Sequence, residues 1–317
     1  MSGCGSIKLK NITENFSHSI MISKEPLVSI IILTKNAGKH FEELMRKIRS
    51  QKFSEKFEIL VVDSGSSDST LNTAKKNGAR IFEIRPQDFH HGRTRNLAAK
   101  LAQGRYLVYI TQDALPVDSY WLKNLVNPLK NDEKAAVVYG RQIAYPNAKP
   151  MEKFFYNYFY PKESKILTFE NAKDPSKFYL ENAFISNVNS AIRREAWKDT
   201  RFRNDIIMAE DKDFALRILK KGWKIVYEPA ACVYHSHNYS PFSLFKRRLK
   251  DGDAFKQITG QSNVSSYSQR YIMKYLSLEA KFLWQKHKFY IFYGLFYEIM
   301  GVLGFTLGNK LGVSKTH

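Results

Sequence analysis

The sequence contains little cysteine and no long apolar segment near its N-terminus. Cys4 and Cys232 are the two cysteines among 317 residues, so a disulfide framework is excluded and a reducing compartment is expected. Residues 1–25 are polar and lack the apolar core of a secretory signal, so we expect a loose leader there. Internal repeats and low-complexity runs are also absent. With 44% hydrophobic residues, a chain of this length is able to bury a sizeable core.

Acidic residues are scarce relative to basic ones. Fifty Lys and Arg against thirty Asp and Glu give a net charge of +20, which predicts an anionic partner such as nucleic acid, a membrane surface or a phosphate-rich ligand. No RNA-binding motif accompanies this charge, so nucleic acid is not expected. Residues 241–317 hold twelve Lys or Arg and four Asp or Glu and are rich in aromatic side chains. This combination favours an anionic lipid interface.

Three apolar runs end abruptly in polar residues, a pattern typical of strands buried on both faces of a parallel sheet. The runs are Val28–Asn36, Phe57–Ser64 and Tyr106–Asp113. Because the carboxyl ends of parallel strands open onto the ligand crevice, we expect the chemistry at this edge. The polar residues predicted to meet there are Thr34, Asn36, Asp63 and Asp113.

Segments with helical spacing alternate with these strands, and Gly38–Ser50 is the clearest of them. The alternation predicts an α/β fold, a mostly parallel Rossmann-like sheet flanked by helices. We assign this domain to residues 26–240. Further on, a loop is predicted at Pro161–Lys177, regular structure returns at Ala183–Ser190, and a pair of strands is predicted at Lys224–His237.

Five motifs in this order resemble a known family. They are VSIIILTKN, VVDSGSSDST, HGRTRN, ITQDALP and AEDKDFALRILKKGW. Together they are similar to the inverting family 2 glycosyltransferases with a GT-A fold. The variants HHGRTRNLA, TQDA and YHSHNYS are most similar to bacterial rhamnosyltransferases of that family. The resemblance covers residues 26–240 and implies a nucleotide-binding half at 26–115 and an acceptor and catalytic half at 116–240.

The resemblance implies transfer of a sugar from a nucleotide-diphospho-sugar, with a divalent cation (Mg²⁺ or Mn²⁺) and inversion at the anomeric carbon. It favours dTDP-L-rhamnose as the donor and a growing, lipid-linked (polyprenyl) bacterial surface glycan as the acceptor. A UDP-hexose or UDP-N-acetylhexosamine donor is the alternative within the enzyme class. A non-catalytic nucleotide-sugar or nucleic-acid binder is the alternative from another class.

Side chains at the strand ends and at one helix start are candidates for donor binding. Asp63 is able to accept hydrogen bonds from a base or ribose, and a role in capping the following turn is the alternative. Arg93 and Arg95 lie in the first turn of a helix, where a diphosphate would offset their charge. The full predicted set is Thr34, Asn36, Asp63, Ser64, Arg93, Arg95, Asn96 and Gln112, of which Asn96 is equally open to a structural role.

Asp113 is the metal candidate, since hard divalent cations prefer carboxylate oxygens and bridge substrate phosphates. The family often has Asp-x-Asp at this place, whereas this chain reads Thr111-Gln112-Asp113 and offers one carboxylate. His235 and His237 lie two residues apart and share a face if that segment is extended. We predict that they complete the site, with a purely structural role as the alternative.

Three acids open a predicted helix within Ala209–Lys221. Asp211 aligns with apolar positions and is expected to head the buried stripe, while Asp213 aligns with a mostly solvated face and Glu210 falls between. Inverting transfer needs one carboxylate to take the acceptor proton. We assign this role to Asp211, with Glu210 as the second catalytic candidate. The alternative for the group is simple compensation of the helix dipole.

The C-terminal region contains a twenty-residue apolar segment, Phe289–Gly308, with Glu298 as its single charge. Its length would allow a membrane span. The buried charge and the lysines on both sides argue instead for a helix that lies in the membrane interface. Packing in a homo-oligomer and a true span remain open. We therefore predict a basic, aromatic, helical region at 241–317 that places a cytoplasmic enzyme on the inner membrane.

Overall fold

The computed structural model describes residues 25–182, 185–261 and 266–312. The predicted leader lies outside the described residues except for its last position. The described residues form one mixed sheet covered by helices on both faces, with three long helices at the C-terminal end. This arrangement confirms the predicted fold class and its helical extension.

The sheet has nine strands within the described residues, in the spatial order β3-β2-β1-β4-β8-β6-β9-β5, with β7 paired to β9. The strands are β1 Val28–Thr34, β2 Phe57–Asp63, β3 Arg80–Glu83, β4 Tyr106–Ile110, β5 Leu115–Pro116, β6 Ala135–Ile143, β7 Lys165–Leu167, β8 Asn189–Arg193 and β9 Lys224–Tyr234. Strands β1 to β4 are mutually parallel, as the sequence predicts. Their carboxyl ends therefore meet at one edge.

Strand β1 lies at the centre of this parallel part and explains why its sequence is continuously apolar. Ile31 packs into the core on one face, and Ile30 and Ile32 pack into the core on the other. A strand covered on both faces cannot alternate apolar and polar residues. Its register places Thr34 directly opposite Asp63 on β2.

The second half of the sheet differs from the prediction. Strand β8 runs antiparallel to both β4 and β6, because it returns between them without a crossover. It begins at Asn189, near the end of the segment Ala183–Ser190 where regular structure is expected, and residues 183–184 lie outside the described residues. The predicted pair of strands after Lys224 is one long strand, β9, whose pairing with β6 shifts register between Gly140 and Gln142. The predicted loop at Pro161–Lys177 contains β7, a short helix and the start of another.

Twelve α-helices surround the sheet in the described residues. Those of the catalytic domain are α1 Gly38–Arg49, α2 Thr70–Lys76, α3 His91–Leu101, α4 Trp121–Asn131, α5 Pro150–Phe159, α6 Phe169–Ala172, α7 Pro175–Glu181, α8 Arg194–Asp199 and α9 Glu210–Lys220. The C-terminal three are α10 Pro241–Thr259, α11 Ser266–Lys286 and α12 Ile291–Leu311. Helix α1 buries Phe41, Leu44, Met45 and Ile48, the stripe expected from helical spacing.

The C-terminal helices pack on the catalytic domain rather than standing apart from it. Met151 of α5 shares a buried cluster with Leu244 of α10, Leu283 of α11 and Tyr297 of α12. Phe154 of the same helix α5 packs against aromatic rings of α11. Because α5 follows β6 and precedes β7, these contacts attach the C-terminal region to the sheet.

Candidate active site

The three predicted metal ligands converge at the carboxyl ends of β4 and β9. Asp113 lies just beyond β4, and His235 and His237 lie just beyond β9. The Oδ2 atom of Asp113 is 3.8 Å from Nε2 of His235 and 3.8 Å from Nδ1 of His237. One ligand atom from each of the three residues lies within 4.8 Å of the others. The spacing leaves room for one cation among them.

Neighbouring side chains fix the orientation of His235. Its Nδ1 lies 2.9 Å from Oε1 of Gln142 and 3.0 Å from the hydroxyl of Tyr156. Because the amide of Gln142 donates through Nε2 to Tyr160, its Oε1 is left to accept the proton of Nδ1. The Nε2 atom then keeps its lone pair and faces Asp113. This is the outer hydrogen bonding expected of a metal-binding imidazole.

The electrostatics of the cluster favour a bound cation. Burial lowers the pKa of His235 to about 4, against the opposing effect of Asp113, so this imidazole is neutral near pH 7. Burial alone would raise the pKa of Asp113, but His235, the Thr111 hydroxyl and His237 bring it below its usual value. A neutral imidazole and an ionised carboxylate therefore face each other with lone pairs. The carboxylate oxygen suits Mn²⁺ or Mg²⁺, and the imidazole nitrogens suit transition-metal ions.

Helix α9 presents its acidic start toward the same edge. Asp211 is half-buried, and its carboxylate accepts hydrogen bonds from the backbone amides of Asn187 at 3.1 Å and Lys212 at 2.9 Å. Burial and the negative charge of Glu210 raise the pKa of Asp211, while Arg95, Lys212 and the Asn187 amide oppose the shift. A carboxylate with a raised pKa is a better proton acceptor than a free one.

Glu210 is held in a buried ion pair. Its Oε1 lies 2.6 Å from Nη1 of Arg95, and the two side chains are only 5% and 10% exposed. This pairing corrects the prediction that Arg95 binds the donor diphosphate, because its guanidinium is directed inward, to a carboxylate from α9. It also leaves Glu210 poorly placed to accept a substrate proton. Glu210 acts instead on the charge of its neighbour, Asp211.

Asp213 also differs from the prediction, since it is buried rather than solvated. Its carboxylate pairs with Arg217 at 2.7 Å and with Arg203 at 3.6 Å. The segment between α8 and α9 folds over this face of the helix, and Arg217 also donates to the carbonyl of Arg201 in that segment. Helical spacing defines a face, but it does not reveal which segment covers the face.

The predicted nucleotide-binding residues at the ends of β1 and β2 come together and brace one another. The fully buried carboxylate of Asp63 accepts from the hydroxyls of Thr34 (2.8 Å) and Ser66 (2.6 Å) and from the backbone amides of Gly65 (2.9 Å) and Ser66 (2.7 Å). Ser64 bonds to the Thr34 carbonyl. Asp63 therefore has the turn-forming role that was its alternative interpretation, and it has little capacity left for a ligand.

Two more predicted donor-binding residues use their amides within the protein. The side chain of Asn96 donates to the Phe202 carbonyl and accepts from Trp197 and the Phe202 amide, so its role is structural. The side chain of Gln112 bonds both to the amide and to the carbonyl of Lys35. It ties the end of β4 to the end of β1.

The remaining predicted donor-binding residues, Asn36 and Arg93, are exposed at the edge. Asn36 accepts from the amide of Ser67 through its side chain, and its own amide donates to Ser66. Arg93, in the first turn of α3, donates to the carbonyl of Asp88, which lies before that helix. Of the two predicted arginines, Arg93 is the one that stays open to an anion.

Backbone strain is concentrated around this edge. Within the described residues, the non-glycine residues with positive φ are Asn36 (47°), Ala209 (61°) and Asn238 (51°). Asn36 follows β1, Ala209 precedes the acidic start of α9, and Asn238 follows His237 of the candidate metal cluster. An alanine in this left-handed backbone conformation costs about 1–2 kcal/mol of conformational free energy. Strained residues persist where the surrounding structure holds them, which is typical of functional sites.

Several residues that support the site carry no signal in the sequence. Tyr156 and Gln142 orient His235, and Asn187 holds Asp211. Glu152 accepts from the backbone amides of His237 and Tyr239 and so fixes the segment after β9. The aromatic run around Tyr156 reveals a buried helix, but not that one of its hydroxyls reaches a histidine.

The chain belongs to glycosyl transferase family 2, whose model matches residues 29–201. It is 35% identical over 229 residues to the O-antigen chain rhamnosyltransferase RfbN of Salmonella typhimurium, covering 71% of each chain. It is 33% identical to WbaN, an O-antigen chain rhamnosyltransferase of Salmonella anatum, covering 72% of this chain and 71% of WbaN. The protein is a glycosyltransferase.

Solved structures confirm the fold. The mannosyltransferase PcManGT from Pyrobaculum calidifontis, solved in complex with GDP-Man and Mn²⁺, matches 90% of this chain and 86% of its own with a TM-score of 0.58 at 18% identity. TarS residues 1–349 from Staphylococcus aureus, in complex with UDP-GlcNAc, match 89% of this chain and 90% of their own with a TM-score of 0.52 at 17% identity. At these identities the likeness concerns the fold.

Proposed function

We propose that this chain is an inverting rhamnosyltransferase that moves L-rhamnose from dTDP-L-rhamnose to a growing, lipid-linked bacterial surface glycan. The identity of 35% to RfbN and 33% to WbaN, each over about 71% of the chain, supports the choice of sugar. The paired site supports the mechanism. A cluster able to hold a cation and a carboxylate with a raised pKa lie at one edge of the sheet.

In the proposed reaction Asp211 accepts the proton of the acceptor hydroxyl while that oxygen bonds to the anomeric carbon from the side opposite the diphosphate. The bond between the anomeric carbon and the diphosphate oxygen breaks, and its electron pair stays on the diphosphate. Asp113, His235 and His237 would hold the divalent cation. When bound, such a cation supplies positive charge that stabilises the diphosphate leaving group.

The half-buried, hydrogen-bonded carboxylate of Asp211 is the observation that carries this proposal. Its two backbone hydrogen bonds fix the position of the side chain without neutralising it. The nearby Glu210 raises its affinity for a proton, and the ion pair with Arg95 holds Glu210 in place. A general base needs a fixed position and a pKa closer to the working pH than that of a free carboxylate.

Transfer or hydrolysis assayed across a panel of nucleotide sugars tests the proposal. We expect dTDP-L-rhamnose to be the preferred donor, and Asp211→Asn to lower kcat by about 10²-fold or more. Asp199→Asn, which removes a carboxylate exposed on α8, is the control and should leave kcat unchanged. Preference for a UDP-hexose or UDP-N-acetylhexosamine would replace the donor. Absence of turnover with every donor and acceptor tested would favour a non-catalytic binder.

We further propose that the protein acts at the cytoplasmic face of the inner membrane, with the C-terminal helices in the lipid interface. Within the described residues, one helical stretch, Lys288–Leu311, is long and apolar enough to cross a membrane by length and composition, and 28% of its apolar 18-residue window is buried. Glu298 is half-buried and lies beside the buried Glu279, so the outer face of α12 is mostly apolar. That face includes Phe292, Leu295, Phe296, Ile299 and Leu303, and the fully exposed Phe289 lies just before the helix.

Flotation with anionic vesicles tests this location. Binding should weaken but persist as salt rises, because salt screens the lysines and arginines but not the apolar contact. Phe289→Ser combined with Phe292→Ser should reduce binding, whereas Ile166→Ser, at an exposed apolar residue on β7, should not. Resistance to an alkaline carbonate wash would indicate a span. If the protein does not bind vesicles but forms a stable oligomer, and the Phe289→Ser, Phe292→Ser variant does not form it, the face is a subunit interface.

A further inference from the structure

The segment between β9 and α10, residues 235–240, carries both histidines of the candidate metal cluster, and one carboxylate holds two of its backbone amides. Glu152 of α5 is buried, and its Oε2 accepts from the amide of His237 at 3.0 Å. Its Oε1 accepts from the amide of Tyr239 at 3.2 Å. The donor side of this short segment is therefore fixed to the first turn of α5.

Lys149, which directly precedes α5, holds the carbonyl side of the same segment. Its Nζ donates to the carbonyl of Tyr239 at 2.9 Å and to the carbonyl of Asn238 at 3.3 Å. The third acceptor is the hydroxyl of Tyr293 on α12, at 3.0 Å. An ammonium group has three protons to donate, so each proton of Lys149 has an acceptor. This lysine therefore acts on the backbone of the chain and has no donor left for a ligand.

The same contacts hold the segment in a strained conformation. Asn238 has a φ of 51°, in the left-handed region, directly after His237. The backbone amide of Lys149 donates to Oδ1 of Asn238 at 2.8 Å, so both the side chain and the carbonyl of Asn238 are held by one residue. Strain of this kind persists only where the surroundings impose it. Loss of Lys149 would therefore allow the segment to relax.

Tyr293 connects this arrangement to the C-terminal helices. Its ring centre lies 5.3 Å from Nζ of Lys149, and the ring packs against the buried cluster that α5 forms with α10, α11 and α12. Tyr239 packs against the same cluster, and its ring lies 5.0 Å from the ring of His237. The C-terminal helices thus reach a predicted metal ligand by two routes, one through an ammonium group and one through an aromatic ring.

We propose that Lys149 and Tyr293 are positioning residues for the candidate metal cluster, so that the C-terminal helices set its affinity for a divalent cation. This inference rests on the proposed function, because it assumes that Asp113, His235 and His237 hold the cation. The Nδ1 atom of His237 lies 3.8 Å from Asp113 while its segment is held. When the segment relaxes, the imidazole moves away from the other two donors. A cluster with so few protein donors loses affinity when one of them is displaced.

Titration of Mn²⁺ into the parent and into Lys149→Met, followed by the electron paramagnetic resonance signal of the free ion, tests the inference. We expect the Kd for Mn²⁺ to rise about tenfold in the variant, since residues that orient metal ligands contribute at least this much. Activity that the variant loses should return as Mn²⁺ is raised, because a weakened site is filled again at higher concentration. A general loss of structure would not be restored in this way.

Lys221→Met is the matched control. Nζ of Lys221 also donates to a backbone carbonyl, that of Asp199 at 2.7 Å, but at the other end of α9 from Asp211. This variant should bind Mn²⁺ as the parent does.

Tyr293→Phe tests the part played by the C-terminal helices. It removes one of the three acceptors of Lys149 and keeps the ring, so Mn²⁺ affinity should fall, but by less than in Lys149→Met. Tyr290→Phe is its control, since it removes the hydroxyl of a tyrosine that is 40% exposed just before α12. It should leave the affinity unchanged. If Lys149→Met fails to fold by its thermal transition, this pair carries the comparison alone.

Equal Mn²⁺ affinity of the parent and Lys149→Met would overturn the inference, as would an equal loss in Lys221→Met. Parent-like affinity in Tyr293→Phe would also overturn it, because the C-terminal helices would then take no part. The parent's own titration separates these results from the proposed function. A parent that binds neither Mn²⁺ nor Mg²⁺ would refute the proposed cation site itself, whereas a parent that binds one of them leaves Lys149 and Tyr293 to be judged with that ion.

Discussion

Replacement of Arg95 by methionine should lower the free energy of unfolding far more than replacement of an arginine on the surface. The ion pair of Arg95 with Glu210 joins residues 115 positions apart, at 2.6 Å, and neither side chain is more than 10% exposed. Removing the guanidinium leaves a buried carboxylate whose other partner is the Asn187 amide at 3.5 Å. Breaking such a pair from one side costs about 3–5 kcal/mol.

The pair of Arg85 with Asp88 offers the matched control. It is equally short, at 2.7 Å, but its side chains are 72% and 47% exposed. Water screens it, so Arg85→Met should lower the free energy of unfolding far less than Arg95→Met does. Urea unfolding followed by circular dichroism measures both changes, provided that the dependence of the unfolding free energy on urea stays the same.

A double variant decides whether the pair acts as one unit. Arg95→Met combined with Glu210→Gln removes both charges, so its cost should be smaller than the sum of the two single changes by about 0.5–3 kcal/mol. If Arg95→Met lowers the free energy of unfolding no more than Arg85→Met, the pair does not hold α3 against α9 as described. The same conclusion follows if the costs of Arg95→Met and Glu210→Gln simply add in the double variant.

Four further results are expected. Asp211 must be ionised to accept a proton, so activity should fall as pH falls through its raised pKa, and Glu210→Gln should move this limb to lower pH in a pH–rate profile. Chelator and Asp113→Ala should both weaken dTDP binding by calorimetry, and chelator should add nothing to the variant. Ala209→Gly should raise unfolding free energy in urea by up to about 1 kcal/mol, because it relieves a left-handed alanine. Burial and Glu298 raise the pKa of Glu279 to about 9. Its contribution to the free energy of unfolding is therefore full below the free value of 4.5, declines as pH rises and is lost by about pH 9. Glu279→Gln should remove that decline when unfolding is measured across pH.

The parallel half of the fold follows from local patterns in the sequence. The apolar run of β1 predicts a strand buried on both faces, and parallel pairing then places Thr34 opposite Asp63. The antiparallel return of β8 does not follow, because its pairing depends on how the chain turns between distant elements. The same limit applies to β9, whose turn-like Glu-Pro dipeptide predicts two strands but is absorbed as an irregularity in one.

The candidate site shows a similar division. Asp113 and the two histidines could be predicted together, since strand ends and alternate residues define their places from the sequence. The pairing of Arg95 with Glu210 could not, because a basic residue at a helix start predicts an anion without telling whether it is a ligand or a carboxylate of the chain. The prediction for Asp213 was wrong for a related reason. The segment that covers it, between α8 and α9, has no helical or strand periodicity from which its path could be predicted.

The two carboxylates that matter most to the proposed reaction are shifted in opposite directions, and the surroundings of each explain why. Asp113 faces two imidazoles and a hydroxyl, which favour its charged form and lower its pKa although burial acts against them. Asp211 is desolvated beside the negative Glu210, which disfavours its charged form and raises its pKa. A carboxylate that stays ionised suits a cation ligand, and one that binds a proton more readily suits a general base. If the roles were exchanged, Asp113 would accept a proton poorly, and at Asp211 protons would compete with the cation for the carboxylate. The opposite shifts therefore support the assignment of Asp113 to the cation and Asp211 to the acceptor proton.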